Sequence, residues 1–162
     1  MAITYEPIAT TTLGSATNTV TFSSIPGTYT DLILIVDAIR DTGTSDDHLV
    51  RFNGDTGNNY SRVYLYGDGS TASGGEQTNA NAAYLIYLNS SVRGVPQLHI
   101  MNYSNSTTYK TVLQRQNLPG TVTAINCASW RSNSAITSIT ITTPANNFAS
   151  TSTFTLYGIK AA

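Results

Sequence analysis

Apolar and polar residues alternate along most of the chain with a period of two, which is the pattern of β-strands that bury one face. Val20 and Phe22 occupy one face of a short segment whose other face carries two threonines. Ile139 and Ile141 alternate with threonines in the same way near the end of the chain. We expect these apolar side chains to face a shared core, because consecutive strand residues point to opposite faces of a sheet.

Ten segments combine this alternation, or a short apolar run, with flanking Gly, Pro, Asn or Asp residues that favour turns. The predicted strands are Thr19–Phe22, Leu32–Val36, Leu49–Phe52, Arg62–Tyr66, Tyr84–Leu88, Gln97–Tyr103, Lys110–Gln116, Val122–Trp130, Ile136–Thr142 and Thr153–Ile159. Leu32–Val36 is apolar throughout, which predicts a central strand covered on both faces. Helical spacing is almost absent. The sequence therefore predicts an all-β fold, an antiparallel, jelly-roll-like β-sandwich.

The organisation of the chain indicates one domain. No long Pro-rich or charged linker and no internal repeat divides the 162 residues, so we expect a single sandwich over residues 1–162. Within it, residues 1–12 are predicted to form an N-terminal arm or an edge strand. Residues 67–81, GDGSTASGGEQTNAN, are small and polar. We expect them to form a long exposed loop, since they bury too little apolar area to offset their ordering entropy.

Composition narrows the classes of partner. Charged residues make up 10% of the chain, against about a quarter in a typical soluble domain. The net charge of −1 gives no electrostatic reason to bind nucleic acid or an anionic membrane. The chain has neither a basic, apolar start nor the run of about 20 apolar residues that a membrane span needs, so we expect neither conventional secretion nor membrane insertion. Cys127 is the single cysteine, and we expect it to be a small core residue.

Acidic and amide residues cluster in two glycine-containing stretches, and two interpretations of them stay open. They are Asp41, Asp46, Asp47, Asp55 and Asn58. Oxygen side chains of this kind can bind calcium, but the order of ligands found in an EF-hand is missing. Asn-Gly and Asp-Thr-Gly are also standard sequences for tight turns. Turn formation is the favoured interpretation, and the sequence predicts no metal and no cofactor.

The sequence shows no recognisable catalytic arrangement. His48 and His99 are the two histidines, and no G-x-S-x-G turn is present. A nucleophile needs a base within reach and a third group that orients that base. His99 lies in an alternating strand between Leu98 and Ile100, where a hydrogen-bonded structural histidine is the ordinary case. We therefore expect a protein that is not an enzyme.

Tyrosines concentrate in the middle of the chain, where Tyr64 and Tyr66 share one face of a predicted strand. Tyrosine can bury its ring while its hydroxyl stays hydrated, so it suits protein interfaces and sugar-stacking surfaces. Cross-strand pairs that cover a sheet are the alternative. We predict a partner interface from these residues and from apolar residues near the two ends of the chain. The candidate interface residues are Ile3, Tyr5, Ile8, Tyr64, Tyr66, Tyr84 and Tyr157.

Several stretches, taken in order, resemble a family of small virion proteins of tailed bacteriophages, especially phages of cyanobacteria and other aquatic hosts. The stretches are ITYEPIATTTL, TFSSIPGTYTDL, FNGDTGNNYS, STTYKT, Trp130-Arg131 followed by AITSITIT, and NNFASTSTFTLYGIKA. Together they extend over nearly the whole chain. Members of this family are described variously as capsid decoration, tail or fibre components, and no binding residues are carried over from them.

The resemblance implies a structural subunit on the virion surface, made in the host cytoplasm. Its implied partners are the major capsid protein and copies of itself, often as a trimer. The chain lacks the collagen-like, coiled-coil or β-helical shaft of an extended fibre, which favours a capsid decoration, or cement, protein. The alternative is a tail or fibre module whose Tyr, Asn and Asp loops bind polysaccharide of the host surface.

Overall fold

The computed structural model describes residues 4–160, and every regular element in this range is a β-strand. The strands are β1 (Tyr5–Thr12), β2 (Thr19–Phe22), β3 (Asp31–Asp37), β4 (Asp46–Phe52), β5 (Tyr60–Gly67), β6 (Ala72–Ala80), β7 (Ala83–Leu88), β8 (Gln97–Met101), β9 (Lys110–Leu118), β10 (Val122–Trp130), β11 (Ile139–Thr142) and β12 (Thr153–Ile159). Within this range no helix is long and apolar enough to cross a membrane.

The strands form two antiparallel sheets that pack face to face. The larger sheet has eight strands in the order β1-β12-β3-β8-β9-β10-β5-β6, and the smaller has four in the order β2-β11-β4-β7. Each of the ten predicted strands is present, with small shifts at its ends. The prediction of an all-β, antiparallel, jelly-roll-like sandwich is therefore confirmed.

The core lies between the two sheets and contains the residues that alternation assigned to it. Val20 and Phe22 are 4% exposed, and Ile139 and Ile141 are fully buried. Burying one such side chain contributes about 1.5–3 kcal/mol relative to leaving it exposed. Strand β3 is interior to the larger sheet, and its side chains are buried or half-buried on both faces, as its continuous apolar sequence predicted.

The prediction of a long loop over residues 67–81 is wrong, because Ala72–Ala80 forms strand β6. Strand β6 pairs with β5 at the edge of the larger sheet, with Leu65 opposite Gly74 and Tyr64 opposite Gly75. The backbone ladder requires no apolar side chains on β6. Glycine also lets β6 pass close to its neighbour, since a Cβ atom at position 74 would lie 2.7 Å from the backbone carbonyl oxygen of Tyr64. Only a short turn remains of the predicted loop.

The prediction that Cys127 lies in the core is also wrong, because its side chain is exposed. Asn126 and Ala128 point inward from β10, so the residue between them points outward. In the sheet register, Cys127 lies between Leu113 on β9 and Val63 on β5. A small apolar residue is therefore presented on the surface of the sheet.

Replacing Gly158 with alanine is expected to lower the free energy of unfolding by about 1–3 kcal/mol. The ring of Tyr29 packs directly on Gly158, and an added methyl group would overlap the ring atoms nearest the Tyr29 backbone. Moving the ring would also disturb the bond from the Tyr29 hydroxyl to Glu6. Urea denaturation followed by circular dichroism measures the loss. Gly14→Ala is the matched control, because an added Cβ there has no atom within 4 Å among the described residues, and an equal loss in both variants would contradict the explanation.

Candidate functional site

Strand β5 separates two different surfaces, because its consecutive side chains point to opposite faces of the larger sheet. Tyr64 and Tyr66 point toward the side of the smaller sheet, since they pair in register with Asn126 and Ala124 of β10. Val63 and Leu65 point the other way. We call the face of the larger sheet that points away from the smaller sheet the outer face.

The outer face carries a row of mostly apolar side chains that crosses six strands in register, with His99 as its polar member. In order along the row are Tyr157, Ile33, His99, Leu113, Cys127 and Val63. Exposure rises toward β5, from 4% at Ile33 to 58% at Val63. Next to this end, Leu65 pairs with Ile125, and the two side chains are 61% and 45% exposed. Contiguous exposed apolar area of this kind marks interaction surfaces in soluble proteins.

A shallow trough of about 980 Å³ adjoins the exposed end of this row. Leu65, Ile125 and Val95 line it, and Val95 is itself 53% exposed. Arg115 is the one charged residue among the described residues that line the trough. Its guanidinium donates to the side-chain oxygen of Gln97 at 2.8 and 2.5 Å. This part of the outer face is therefore apolar with little charge.

A second concavity lies on the opposite side of β5, next to the β7 edge of the smaller sheet. It has a volume of about 430 Å³, and its walls include Tyr64, Tyr66 and Tyr87. Arg62 and Asn126 also line it. We call it the tyrosine cleft.

Three amide side chains form a hydrogen-bonded chain, and two of them, Gln116 and Asn126, line the floor of the tyrosine cleft. Gln116 accepts from the Tyr87 backbone N–H at 3.0 Å and donates to the Tyr87 carbonyl at 3.2 Å, so it bonds to the edge of β7 as a neighbouring strand would. Gln114 donates to Gln116 at 2.8 Å, and Asn126 donates to Gln114. The Oδ1 atom of Asn126 has no hydrogen-bond partner within residues 4–160, although the residue is only 6% exposed.

Arg62 and aromatic rings form the wall of the cleft. The Arg62 guanidinium lies 4.6 Å from the centre of the Tyr64 ring and 5.4 Å from that of Tyr84. The Tyr64 and Tyr66 rings stack with their centres 6.2 Å apart. Arg62 also forms an ion pair of 2.6 Å with Asp47 and donates to the Tyr84 carbonyl. Its Nε atom is buried and has no partner in the described part of the chain.

The predicted interface residues fall into two groups. Tyr64, Tyr66 and Tyr84 come together around Arg62 in and beside the tyrosine cleft. The residues near the chain ends are separated from them by the width of the larger sheet. On β1, Tyr5 is 54% exposed and Ile8 is half-buried against the core, and on β12 Tyr157 is half-buried on the outer face. Ile3 lies outside the described residues.

Sequence reasoning missed the most exposed apolar residues and the amide chain. Val63, Leu65 and Ile125 were not assigned to an interface. The signal was present in β5, where Val63-Tyr64-Leu65-Tyr66 places large side chains on both faces of one strand. Such a strand is covered on both sides or exposes one apolar face. No local sequence pattern indicated the amide chain. Its members come together only because β9, which carries Gln114 and Gln116, pairs with β10, which carries Asn126.

The stretch around Asp55 forms a hydrogen-bonded turn. Asn53 and Gly54 have φ angles of 53° and 68°, the left-handed conformation that Asn-Gly favours. Asp55 accepts from the Gly57 backbone at 2.8 Å, from the Asn59 amide at 2.9 Å and from the Trp130 indole at 2.7 Å. Burial raises the pKa of Asp55, but these bonds outweigh it and hold the pKa below its usual value. The favoured interpretation, turn formation, is thus confirmed for this stretch.

The other acidic residues of the two stretches also have protein partners. Asp41 accepts from the backbone and side chain of Asn147, and Asp47 pairs with Arg62. The Oδ1 atom of Asp46 accepts from the backbone N–H of the next residue at 2.8 Å. Among residues 4–160, no group of three or more His, Cys, Asp or Glu side chains is placed to hold a metal ion.

The two histidines lie in different environments. His48 is fully buried, its Nδ1 atom lies 3.0 Å from the Asp46 carbonyl and 3.2 Å from the Ile86 carbonyl, and its ring stacks on Phe148. Burial lowers the pKa of His48 to about 4. His99 lies 2.8 Å from the Asp31 carboxylate on the outer face, so the prediction of a hydrogen-bonded histidine is confirmed.

No protein-family model, curated protein or solved structure matches the chain. The described residues define its class by fold and surface: an all-β sandwich protein with an exposed apolar sheet face and a separate cleft lined by tyrosine, arginine and amide side chains.

Proposed function

We propose that the chain is a structural protein of a bacteriophage virion, a capsid decoration protein that stabilises the assembled shell through non-covalent contacts. In this proposal it is made in the host cytoplasm, is carried on the virion surface, and is neither catalytic nor dependent on a cofactor. The resemblance of its motifs to small virion proteins of tailed phages supports the proposal. The hydroxyl- and amide-rich composition fits a protein packed against partners, because its solubility depends little on charge.

The observation that carries the proposal is the exposed apolar end of the outer face. Val63, Leu65 and Ile125 project from two adjacent strands, and Arg115 is the one charged residue of the described range that lines the trough beside Leu65 and Ile125. Glu76 lies opposite Val63 on the edge strand β6. The buried centre of a protein interface is poor in charged residues, and the polar rim surrounds it. Fully burying one such side chain contributes about 1.5–3 kcal/mol. We infer that this end of the face contacts the major capsid protein.

Stabilisation of the shell then follows from linkage. A protein that binds the assembled lattice and not its free subunits shifts the equilibrium away from disassembly. Because the lattice repeats, even a modest contact acts many times on one shell. The proposal therefore needs a surface that fits a neighbour, and it needs no reaction at that surface.

Copies of the chain are proposed to associate as a trimer through the edges of the larger sheet. Strands β1 and β6 are its two edge strands. Edge strands present backbone N–H and C=O groups that a neighbouring copy can bond. Tyr5, on the outer face of β1, is 54% exposed and lies beside that edge. Analytical ultracentrifugation of the full chain measures the oligomeric state.

Replacing Leu65 with aspartate is expected to weaken binding to the capsid at least about tenfold, because a carboxylate would be buried in an apolar contact without a partner. The measurement is co-sedimentation with capsids emptied of DNA, from the phage that encodes the chain. Thr21→Asp is the matched control, since it adds the same charge at an exposed position on the smaller sheet. Both variants are expected to give the circular dichroism spectrum of the unchanged chain.

If the two variants bind capsids equally, the outer face is not the surface that contacts the capsid. Failure of the unchanged chain to bind capsids, together with binding to host cells, would favour the alternative of a tail or fibre module that recognises polysaccharide of the host surface. Labelling the chain in intact virions separates the two positions directly.

A further inference from the structure

We propose that the tyrosine cleft is a binding site for an uncharged saccharide. The cleft shares Tyr66, Gln116 and Ala124 with the trough, but the outer-face residues Leu65 and Ile125 do not line it, because Tyr66 and Leu65 point to opposite sides of β5. It is independent of the proposed role at the capsid, and either can fail without the other.

The size and position of the cleft suit a small polar ligand. Its volume of about 430 Å³ falls within the range of about 300–1,000 Å³ that is usual for small-molecule sites. It lies where β7, the edge strand of the smaller sheet, meets the inward-facing side of β5 and β10. Gln116 fixes that junction through both backbone groups of Tyr87. The backbone around the cleft is therefore fixed before a ligand arrives.

Arg62 and Asn126 line the cleft, and each carries one buried polar atom without a partner in the described part of the chain, which indicates the chemistry of the ligand. The Oδ1 atom of Asn126 is an acceptor and the Nε–H of Arg62 is a donor, and neither has a partner within the described range. The two residues are diagonal neighbours on one face of adjacent strands, since Asn126 pairs with Tyr64 and Arg62 with Ala128. Buried polar atoms without partners are rare and costly. Both atoms are closed to solvent in this structure, so the two side chains must turn toward the cleft on binding. A hydroxyl group both donates and accepts, so hydroxyls of one ligand can then satisfy both atoms.

The amide chain fixes which atom of Asn126 is available. Gln114 uses its NH2 group on Gln116, so its oxygen is the atom that accepts from Asn126. The NH2 group of Asn126 is thereby occupied, and its carbonyl oxygen remains. That oxygen requires a donor from the ligand, which a sugar hydroxyl supplies and an ether or carboxylate does not.

The aromatic wall and the charge of the cleft favour a neutral sugar over an anion. Tyr66, which is 37% exposed, ends the stack formed by Arg62 and Tyr64, and its ring offers a surface for the C–H face of a pyranose. The charge of Arg62 is offset by its 2.6 Å ion pair with Asp47. Asp68 adds a second carboxylate at the wall. The cleft therefore has no surplus positive charge to attract a phosphate or an acidic sugar.

The test is a titration of the full-length, ¹⁵N-labelled chain with glucose, galactose, mannose and N-acetylglucosamine and with short oligosaccharides of each. The side-chain NH2 signals of Asn126 and Gln116 report on the floor of the cleft. We expect at least one of these sugars to shift both sets of signals. We expect Tyr66→Ala to weaken the apparent Kd about tenfold or more.

Tyr109→Ala is the matched control, because Tyr109 is a tyrosine of 59% exposure that does not line the cleft. Its binding is expected to equal that of the unchanged chain. Glucuronate and inorganic phosphate are expected to bind at least about tenfold more weakly than the best neutral sugar. The proposal is overturned if no sugar shifts the Asn126 signals up to about 50 mM, if Tyr66→Ala binds as tightly as Tyr109→Ala, or if an anion binds more tightly than every neutral sugar.

Discussion

Replacing Trp130 with alanine is expected to lower the free energy of unfolding by about 3–5 kcal/mol, which is a large part of the 5–15 kcal/mol or so that stabilises an ordinary domain. Trp130 is 3% exposed at the end of β10. Its ring lies 5.6 Å from Phe52 and 6.4 Å from Tyr60, measured between ring centres. Removing the indole leaves a cavity between strands of both sheets, because Phe52 belongs to β4 and Tyr60 to β5. Guanidinium denaturation followed by far-ultraviolet circular dichroism measures the loss.

Trp130→Phe separates the two roles of this side chain. Phenylalanine keeps most of the ring contact but cannot donate to Asp55, whose carboxylate accepts from the indole at 2.7 Å. We expect a loss of about 1–3 kcal/mol, the usual effect of leaving a partly buried acceptor with one bond fewer. A loss in Trp130→Ala no greater than that in Trp130→Phe would contradict the assignment of Trp130 to the core. Circular dichroism is the appropriate signal, since Trp130 is the single tryptophan of the chain.

Alternation predicted the fold because the sequence of each strand alone shows which face is apolar, and burying that face requires packing against another layer. A strand such as β11 has two isoleucines on one face, and burying that face requires a second sheet, whatever the order of strands. Alternation of apolar and polar residues gives no prediction where two strands are joined by backbone hydrogen bonds alone. Strand β6 has almost no apolar residues, and its ladder with β5 depends on glycines that permit close approach to Tyr64 and Leu65. Composition therefore predicted a loop where the structure has an edge strand.

The candidate sites were predictable only in part, for a related reason. Alternation placed Tyr64 and Tyr66 on one face, and the structure brings them to one cleft. Asn126 and Gln116 join them through the order β9-β10-β5, which no local pattern encodes. Cys127 was assigned to the core by its residue type, whereas the alternation of β10 assigns it outward. In this chain, the position of a residue in the alternation of its strand is thus a better guide to its burial than its residue type.

The two proposed sites share strand β5, and Leu65 distinguishes them because it belongs to only one. A substitution at Leu65 alters the outer face and not the tyrosine cleft, whereas one at Tyr66 alters the cleft and also the wall of the trough. Both side chains are more than one-third exposed, at 61% and 37%. Neither substitution removes a core contact, so loss of binding in either variant is interpretable without loss of folding.

Acid is expected to destabilise the protein by about 3 kcal/mol through His48 alone as the pH falls from 6.5 to 4. Burial lowers the pKa of His48 to about 4 from its ordinary value of 6.5, and the charge of Arg40 acts in the same direction, against the carbonyl of Ile86 and the carboxylate of Asp46. Above pH 6.5 the His48 ring is neutral in both the folded and the unfolded chain, and the contribution of His48 to stability is fully present. Between the two values the unfolded chain binds a proton that the folded chain does not, so stability falls. Below the folded pKa this contribution is lost.

Denaturant unfolding at a series of pH values measures this slope, and the other histidine supplies the control. His48→Gln is expected to flatten the dependence between pH 6.5 and 5, whereas His99→Gln, which leaves the buried His48 ring unchanged, is expected to retain the His48 contribution. The pKa values of Glu6, Asp41 and Asp55 are lowered from 4.5 or 3.8, so the stability that these carboxylates contribute begins to fall only as the pH nears those ordinary values, below the window from pH 6.5 to 5. A slope that survives in His48→Gln and disappears in His99→Gln would show that the buried ring is not the group that titrates. A nuclear magnetic resonance titration of the His48 ring protons gives the folded pKa independently.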